Sequence, residues 1–174
     1  MNHKVFVIGG CRSGKSNHAL ELAEKMAVNE KVFIATCVPQ DDEMRQRVAK
    51  HQQSRSQSWK TIEAPLHLPQ AILDNARAEG VVLIDCLTLW INNLLMENES
   101  TPIVENQISK LLRALQSADG TVIMVSNEVG TGIVPENKLA RVYRDLVGSL
   151  NQAVARHVDR VVWVVAGIPV TIKG

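Results

Sequence analysis

A chain of 174 residues with 45% apolar residues, 21% charged residues and a net charge of +1 has enough apolar side chains for one ordinary core and too many for a disordered segment. The near-neutral charge gives no bulk attraction to nucleic acid or an anionic membrane. No apolar stretch suits a bilayer span ("VVWVVAGIPV" is short and holds Gly and Pro) and the N-terminal apolar run is too short for a secretory signal, so the expectation is one cytoplasmic domain over residues 1–174 with no membrane anchor.

In chain order, apolar β-branched runs predict strands over 4–8, 31–36, 81–85, 121–126, 160–166 and 169–173. Helical patterns predict helices over 15–28, 41–56, 68–79, 87–97, 104–117 and 136–157. Runs such as "VVLID" and "VIMVS" suit strands buried on both faces. Strand and helix in alternation imply βαβ units and a mostly parallel sheet. The last two strands meet at Gly167-Ile168-Pro169 with no room for a crossover helix, so they must pair antiparallel, and Pro169 puts the last one at an edge. In the helix over 87–97, Leu87, Leu89, Trp90, Ile91, Leu94, Leu95 and Met96 cover more than one face. Such a helix is either well buried or in contact with another subunit.

The stretch "GGCRSGKS", between the first strand and the first helix, fits G-x-x-x-x-G-K-[ST] with Gly9, Gly14, Lys15 and Ser16. Glycines let successive N–H groups turn inward as an anion nest, and the helix that follows offers its positive dipole end. Gly9, Gly10, Cys11, Arg12, Ser13, Gly14, Lys15 and Ser16 are therefore candidate nucleotide-binding residues. Lys15 is placed to reach the β- and γ-phosphates and the Ser16 hydroxyl to bind Mg²⁺. Asp85, closing "VVLID" on an expected neighbouring strand, is the second Mg²⁺ candidate, although a lone Asp there could simply cap the next helix.

A P-loop names only a class, so other strand ends must narrow it. Those ends carry Thr36-Cys37, Asp85-Cys86 and Asn127-Glu128. All three cysteines thus fall near the expected nucleotide edge. They have no CxxC spacing and support neither a disulfide framework nor a zinc site. The connection "SNEVGTGIVPEN" is long for a passive loop and reads as a substrate loop with Asn127 and Glu128 facing the site. In the helix over 41–56, Asp41-Asp42-Glu43 sit where the dipole favours negative charge, and Met44, Val48 and His51 share one face. Taken alone, His51 reads as a structural histidine. His3, His18, His67 and His157 have no comparable setting.

"GGCRSGKS", "IAT", "DDEM" with its later Arg and His, the Asp85 strand, "SNEVGTGIVPEN" and "AGIPVTIK", in that order, resemble the bifunctional adenosylcobinamide kinase / adenosylcobinamide-phosphate guanylyltransferase family of cobalamin biosynthesis. The resemblance implies a P-loop, RecA-like sheet. It implies phosphorylation of the aminopropanol hydroxyl of adenosylcobinamide, then transfer of GMP from GTP to that phosphate, with ATP and GTP as substrates and a homotrimer as the assembly. The family's guanylyl-carrying histidine corresponds to His51, and the guanosine site to Ala35, Thr36, Cys37, Gln52, Gln53, Ser54, Arg55 and Glu63.

The implied chemistry is sound. A neutral imidazole is a competent nucleophile near pH 7, and a covalent intermediate splits one transfer into two easier steps. Cys11, Cys37 and Asp85 depart from the family's common residues; with Asp85 in place of Glu, the shorter reach implies a water-bridged Mg²⁺. Two other readings remain: a simple small-molecule kinase in which His51 is structural, and a RecA-like module acting on nucleic acid. The lack of a basic stripe counts against the latter.

Overall fold

The computed structural model describes residues 3–26, 29–39, 58–98 and 100–174, with positions 42, 46 and 56. Its strands are β1 Lys4–Gly9, β2 Glu30–Ala35, β3 Trp59–Glu63, β4 Gly80–Asp85, β5 Thr121–Asn127, β6 Arg160–Val165 and β7 Ile168–Lys173. Its helices of described bounds are α1 Lys15–Glu24, α2 Leu68–Asn75, α3 Leu87–Asn98, α4 Thr101–Ser117 and α5 Lys138–His157. The expected helix over 41–56 falls almost wholly outside the described residues.

The strands form one sheet in the order β3-β2-β4-β5-β1-β6-β7. All neighbouring pairs are parallel except β6 and β7, which pair antiparallel with β7 at the edge. The continuous apolar runs behave as strands buried on both faces should. Phe6, Ile8, Val82, Ile84, Val122 and Met124 face one side, packed with Leu68, Trp90, Leu111 and Leu150 of the helices. The alternate residues Val5, Val7, Val81, Leu83, Ile123 and Val125 face the other, against Ala19 and Ala23 of α1. The small side chains at 19 and 23, four apart, let α1 lie close to the strands that precede and flank the P-loop.

Four expectations need correction. Strand β3 was not expected: its alternation is brief, and Lys60, Thr61 and Glu63 are exposed at the sheet's other edge, so no apolar run announces it. Helix α4 begins at Thr101 rather than 104, because Pro102 suits a first turn, where its missing N–H is no loss. Helix α2 ends at Asn75, earlier than 79. Finally, β5 lies between β4 and β1, so the Asp85 strand is not the P-loop strand's neighbour. Two strand spacings, roughly 9–10 Å, separate them.

Helix α3 settles the question its apolar surface raised. Leu87, Trp90, Ile91, Leu94 and Leu95 are all buried within this chain, packed against β5, α4 and α5. Trp90 Nε1 donates to Leu66 O at 3.0 Å, which satisfies the one polar atom of that side chain. Only Met96 of this set is exposed. Other exposed apolar residues include Trp163, Val165, Ile168, Val170 and Ile172 on the β6–β7 hairpin, and Ile133 and Val134 in the loop after β5. No helix among the described residues is long and apolar enough to cross a membrane.

Candidate active site

Parallel strands put their carboxyl ends on one edge. Here the row reads Glu63, Ala35, Asp85, then Asn127 and Gly9. Ala35 is in register with both Glu63 and Asp85, and Gly9 with Asn127.

The P-loop leaves β1 at Gly9. A side-chain carbon at this position would stand 2.5 Å from Val164 O and 2.6 Å from Ser13 Oγ, so only glycine fits. Arg12 and Gly14 take left-handed backbone angles, with φ of 55° and 92°. Gly14 is the residue before α1 and supplies no side-chain cap, which leaves the helix's first N–H groups available to an anion. Lys15 is 9% exposed and donates from Nζ to Gly10 O at 3.1 Å, so the charge is held against the loop's own backbone. Ser16, the second residue of α1, is half-buried. Ser13 N donates to Gly10 O at 3.3 Å, and Ser13 Oγ is buried with no hydrogen-bond partner among the described residues. Gly10 meets nothing nearby and Cys11 is exposed.

The loop is braced from outside. The turn between β6 and β7 is made by Ala166 and Gly167, both left-handed (φ 51° and 82°), as a two-residue hairpin requires. Gly167 N donates to Ser13 O at 2.8 Å, and a side-chain carbon on Gly14 would lie 3.3 Å from Gly167 Cα. Glu128 N donates to Gly9 O at 3.0 Å. The C-terminal hairpin and the end of β5 thus hold the two ends of the cradle.

The β2–β4 side of the edge is different. Thr36 is fully buried; its Oγ1 donates to Cys86 O at 2.7 Å and accepts from Cys86 N at 2.9 Å. Asn93 Nδ2 donates to Thr36 O at 2.7 Å and to Pro65 O at 3.1 Å. Thr36 therefore clamps the ends of β2 and β4, and its hydroxyl is committed to backbone. Cys86 is buried against Thr88 Oγ1, and burial, with the Asp85 charge as a lesser cause, pushes its thiol up to about 11. All three cysteines do follow or belong to elements of this edge, but Cys86 is closed off, Cys37 is partly buried and Cys11 is open. Glu63 is exposed at the end of β3. His51, Gln52, Gln53, Ser54 and Arg55 lie outside the described residues.

Several supporting residues gave no sequence signal. The loop from Glu128 to Asn137 is fastened by arginines of α5. Arg144 donates to Ile133 O at 2.8 Å and to Gly130 O, and Arg141 donates to Pro135 O at 3.0 Å and to Glu136 O. Glu128 Oε1 accepts from Gly130 N at 2.7 Å, and Asn137 caps α5 by accepting from Ala140 N at 3.0 Å. Asn151 donates to Asn127 O at 3.1 Å. Tyr143 OH donates to Thr88 O at 3.3 Å, and burial pushes that phenol up to about 12. Arginines three apart on a helix are ordinary surface chemistry until the loop they bind is in view.

The model of a family described as cobinamide kinase / cobinamide phosphate guanyltransferase matches residues 5–172. The chain is 41% identical over 170 residues to the bifunctional adenosylcobalamin biosynthesis protein CobP of Pseudomonas aeruginosa, covering 97% of this chain and 96% of that protein. It is 38% identical over 181 residues to the bifunctional adenosylcobalamin biosynthesis protein CobU of Escherichia coli K12, covering 97% and 99%. Among solved structures it resembles a prototypical ATPase from a type III secretion system, with a TM-score of 0.60 and 9% identity over 92% of this chain and 50% of that one, a likeness of fold alone. A P-loop at the head of a parallel sheet, matched nearly end to end by these relatives, means that this chain belongs to the cobinamide kinase / cobinamide phosphate guanyltransferase family.

Proposed function

We propose that one domain of this protein performs two successive reactions on a corrinoid, as a cytoplasmic enzyme of cobalamin biosynthesis. In the first, the aminopropanol hydroxyl of adenosylcobinamide attacks the γ-phosphorus of a nucleoside triphosphate. The new O–P bond replaces the γ-phosphoanhydride bond, and the nucleoside diphosphate leaves with the electron pair. In the second, His51 attacks the α-phosphorus of GTP and pyrophosphate leaves. The phosphate of adenosylcobinamide phosphate then displaces the imidazole, giving adenosylcobinamide-GDP and free enzyme.

The observation that carries this reading is the braced, uncapped cradle from Gly9 to Ser16, opening on the same edge as Asp85, Asn127 and Glu63. Its N–H groups and the Lys15 ammonium are donors fixed before substrate arrives, so developing negative charge is met without reorganisation. They serve the γ-phosphate in one reaction and the departing pyrophosphate in the other. Glu63 and Ala35, at the far end of the row, are the guanosine side of this reading, joined by Cys37 and the 52–55 segment, while Thr36, its hydroxyl committed to Cys86, holds the strand ends beneath them. An exposed carboxylate such as Glu63 can accept from the guanine N–H groups, which adenine lacks.

The donors near the cradle suit Mg²⁺. The Ser16 hydroxyl and the Asp85 carboxylate are hard oxygen ligands. Among the described residues no cluster of three His, Cys, Asp or Glu could form a protein-only cage, which fits an ion held largely by phosphate oxygens. Ser16 would hold it directly and Asp85, two strands from β1, through water. When bound, Mg²⁺ would withdraw charge from the phosphate oxygens and align the chain of phosphates. The homotrimer that the family resemblance implies is part of the same proposal and is tested by sedimentation.

Incubation with α-labelled GTP tests the transferase half. Wild type should yield labelled protein, labile to acid and stable to base, and His51→Ala should not, while still phosphorylating cobinamide. No label on the wild type, with kinase activity intact, would leave a simple P-loop kinase in which His51 is structural.

A further inference from the structure

Among the described residues, three buried side-chain polar atoms have no hydrogen-bond partner: Ser13 Oγ, His18 Nε2 and Asn127 Oδ1. Ser13 is part of the cradle already described, and His18 lies on α1, past the loop. Asn127 is neither. It ends β5, the strand between the Asp85 strand and the P-loop strand, in register with Gly9.

Everything about Asn127 except one atom is fastened. Its carbonyl accepts from Asn151 Nδ2 at 3.1 Å, and Asn151 Oδ1 in turn accepts from Ser126 Oγ at 2.7 Å. Its Nδ2 donates to Thr88 Oγ1 at 3.2 Å, and the next residue's N–H is tied to Gly9 O. The carboxamide gives its N–H to Thr88 and leaves its oxygen unanswered among the described residues. An unsatisfied acceptor in an otherwise complete network points to a missing donor.

Phosphate oxygens cannot be that donor, because at neutral pH they are acceptors and would be repelled by an amide oxygen. An O–H or N–H that comes with the substrates would answer it. We infer that Asn127 Oδ1 accepts a hydrogen bond from the attacking hydroxyl of the corrinoid, fixing it in line with the γ-phosphorus held by the cradle. This rests on the kinase reading above. The amide is far too weak a base to remove the proton. It orients the hydroxyl, and the proton passes to water as the O–P bond forms and the nucleoside diphosphate departs. The second reaction delivers a phosphate, an acceptor, to His51 and has no use for this oxygen.

The contrast between two variants and two half-reactions tests the inference. Asn127→Leu keeps the shape and removes the acceptor; its kinase kcat should fall about 100-fold. Nucleotide affinity, and guanylyl transfer to supplied cobinamide phosphate, should stay within about threefold. Asn127→Asp keeps an acceptor in place and should recover at least about tenfold of the lost kcat. Equal loss in both half-reactions, equal loss in both variants, or no loss in Asn127→Leu would overturn it. If Asn127→Leu does not fold, Asn127→Ala is put through the same comparison. Wild type without any kinase activity on cobinamide would instead overturn the proposed function.

Discussion

The two halves of the sheet's carboxyl edge are built on opposite principles. Between β2 and β4, polar groups are consumed by the protein: Thr36 serves Cys86 at both backbone atoms, and Asn93 serves Thr36 and Pro65. Between β5, β1 and β6, some are left unanswered: the N-terminus of α1 has no side-chain cap, and Ser13 Oγ and Asn127 Oδ1 have no partner among the described residues. One sheet edge thus has a closed half, whose polar groups hold strands together, and an open half, whose donors and acceptors stay available to a ligand. Burial alone does not tell them apart, since Thr36 and Lys15 are both buried. What separates them is where their hydrogen bonds end.

Substitutions on the open half should cost activity rather than stability. Lys15→Ala should lower both half-reactions by roughly 10³-fold, because the cation meets phosphate charge in each; steady-state assays of the two reactions check this. His51→Ala should abolish guanylyl transfer and hold the kinase kcat within about threefold, which sharpens the division between the cradle and His51.

The closed half should show the reverse. Thr36→Val removes the partner of the buried Cys86 N–H and leaves Cys86 O to Trp90 N alone, and urea unfolding should register a loss of about 1–3 kcal/mol. Its kcat at low temperature should remain within about threefold of wild type. A large loss of activity with stability intact would break the comparison and make Thr36 a substrate contact.

The smallest effect is a difference in reactivity. At pH 8 a maleimide should modify Cys11, and nucleotide should slow it. Cys86 should stay unmodified, since its raised thiol is protonated well above that pH as well as buried. Peptide mapping after labelling reads this directly, and rapid modification of Cys86 would show that the β4 end opens.

Much of the fold was legible because it rests on local rules. The strands β1, β2, β4, β5 and β6 are β-branched runs, and two strands with Gly167 between them could only form a hairpin. The edge strand β3 escaped because an edge strand with exposed Lys60, Thr61 and Glu63 has no apolar signature. Helix α3 was legible as apolar but not as covered, since whether α4 and α5 reach it is a matter of packing. The same holds in reverse for β7: six residues with three large aliphatics, all exposed in this chain.

The sequence by itself determined the cradle. Gly9, Gly14, Lys15 and Ser16 at fixed spacing between a strand and a helix suffice for an anion nest, because the required backbone angles and the helix dipole are local properties. Only the tertiary structure decided that β5 intervenes between Asp85 and the P-loop, that the Gly167 turn braces Ser13, and that the Thr36 hydroxyl is committed while Asn127 Oδ1 is not. Strand order and the pairing of polar atoms far apart in the chain depend on which surfaces pack together, and no local pattern encodes that.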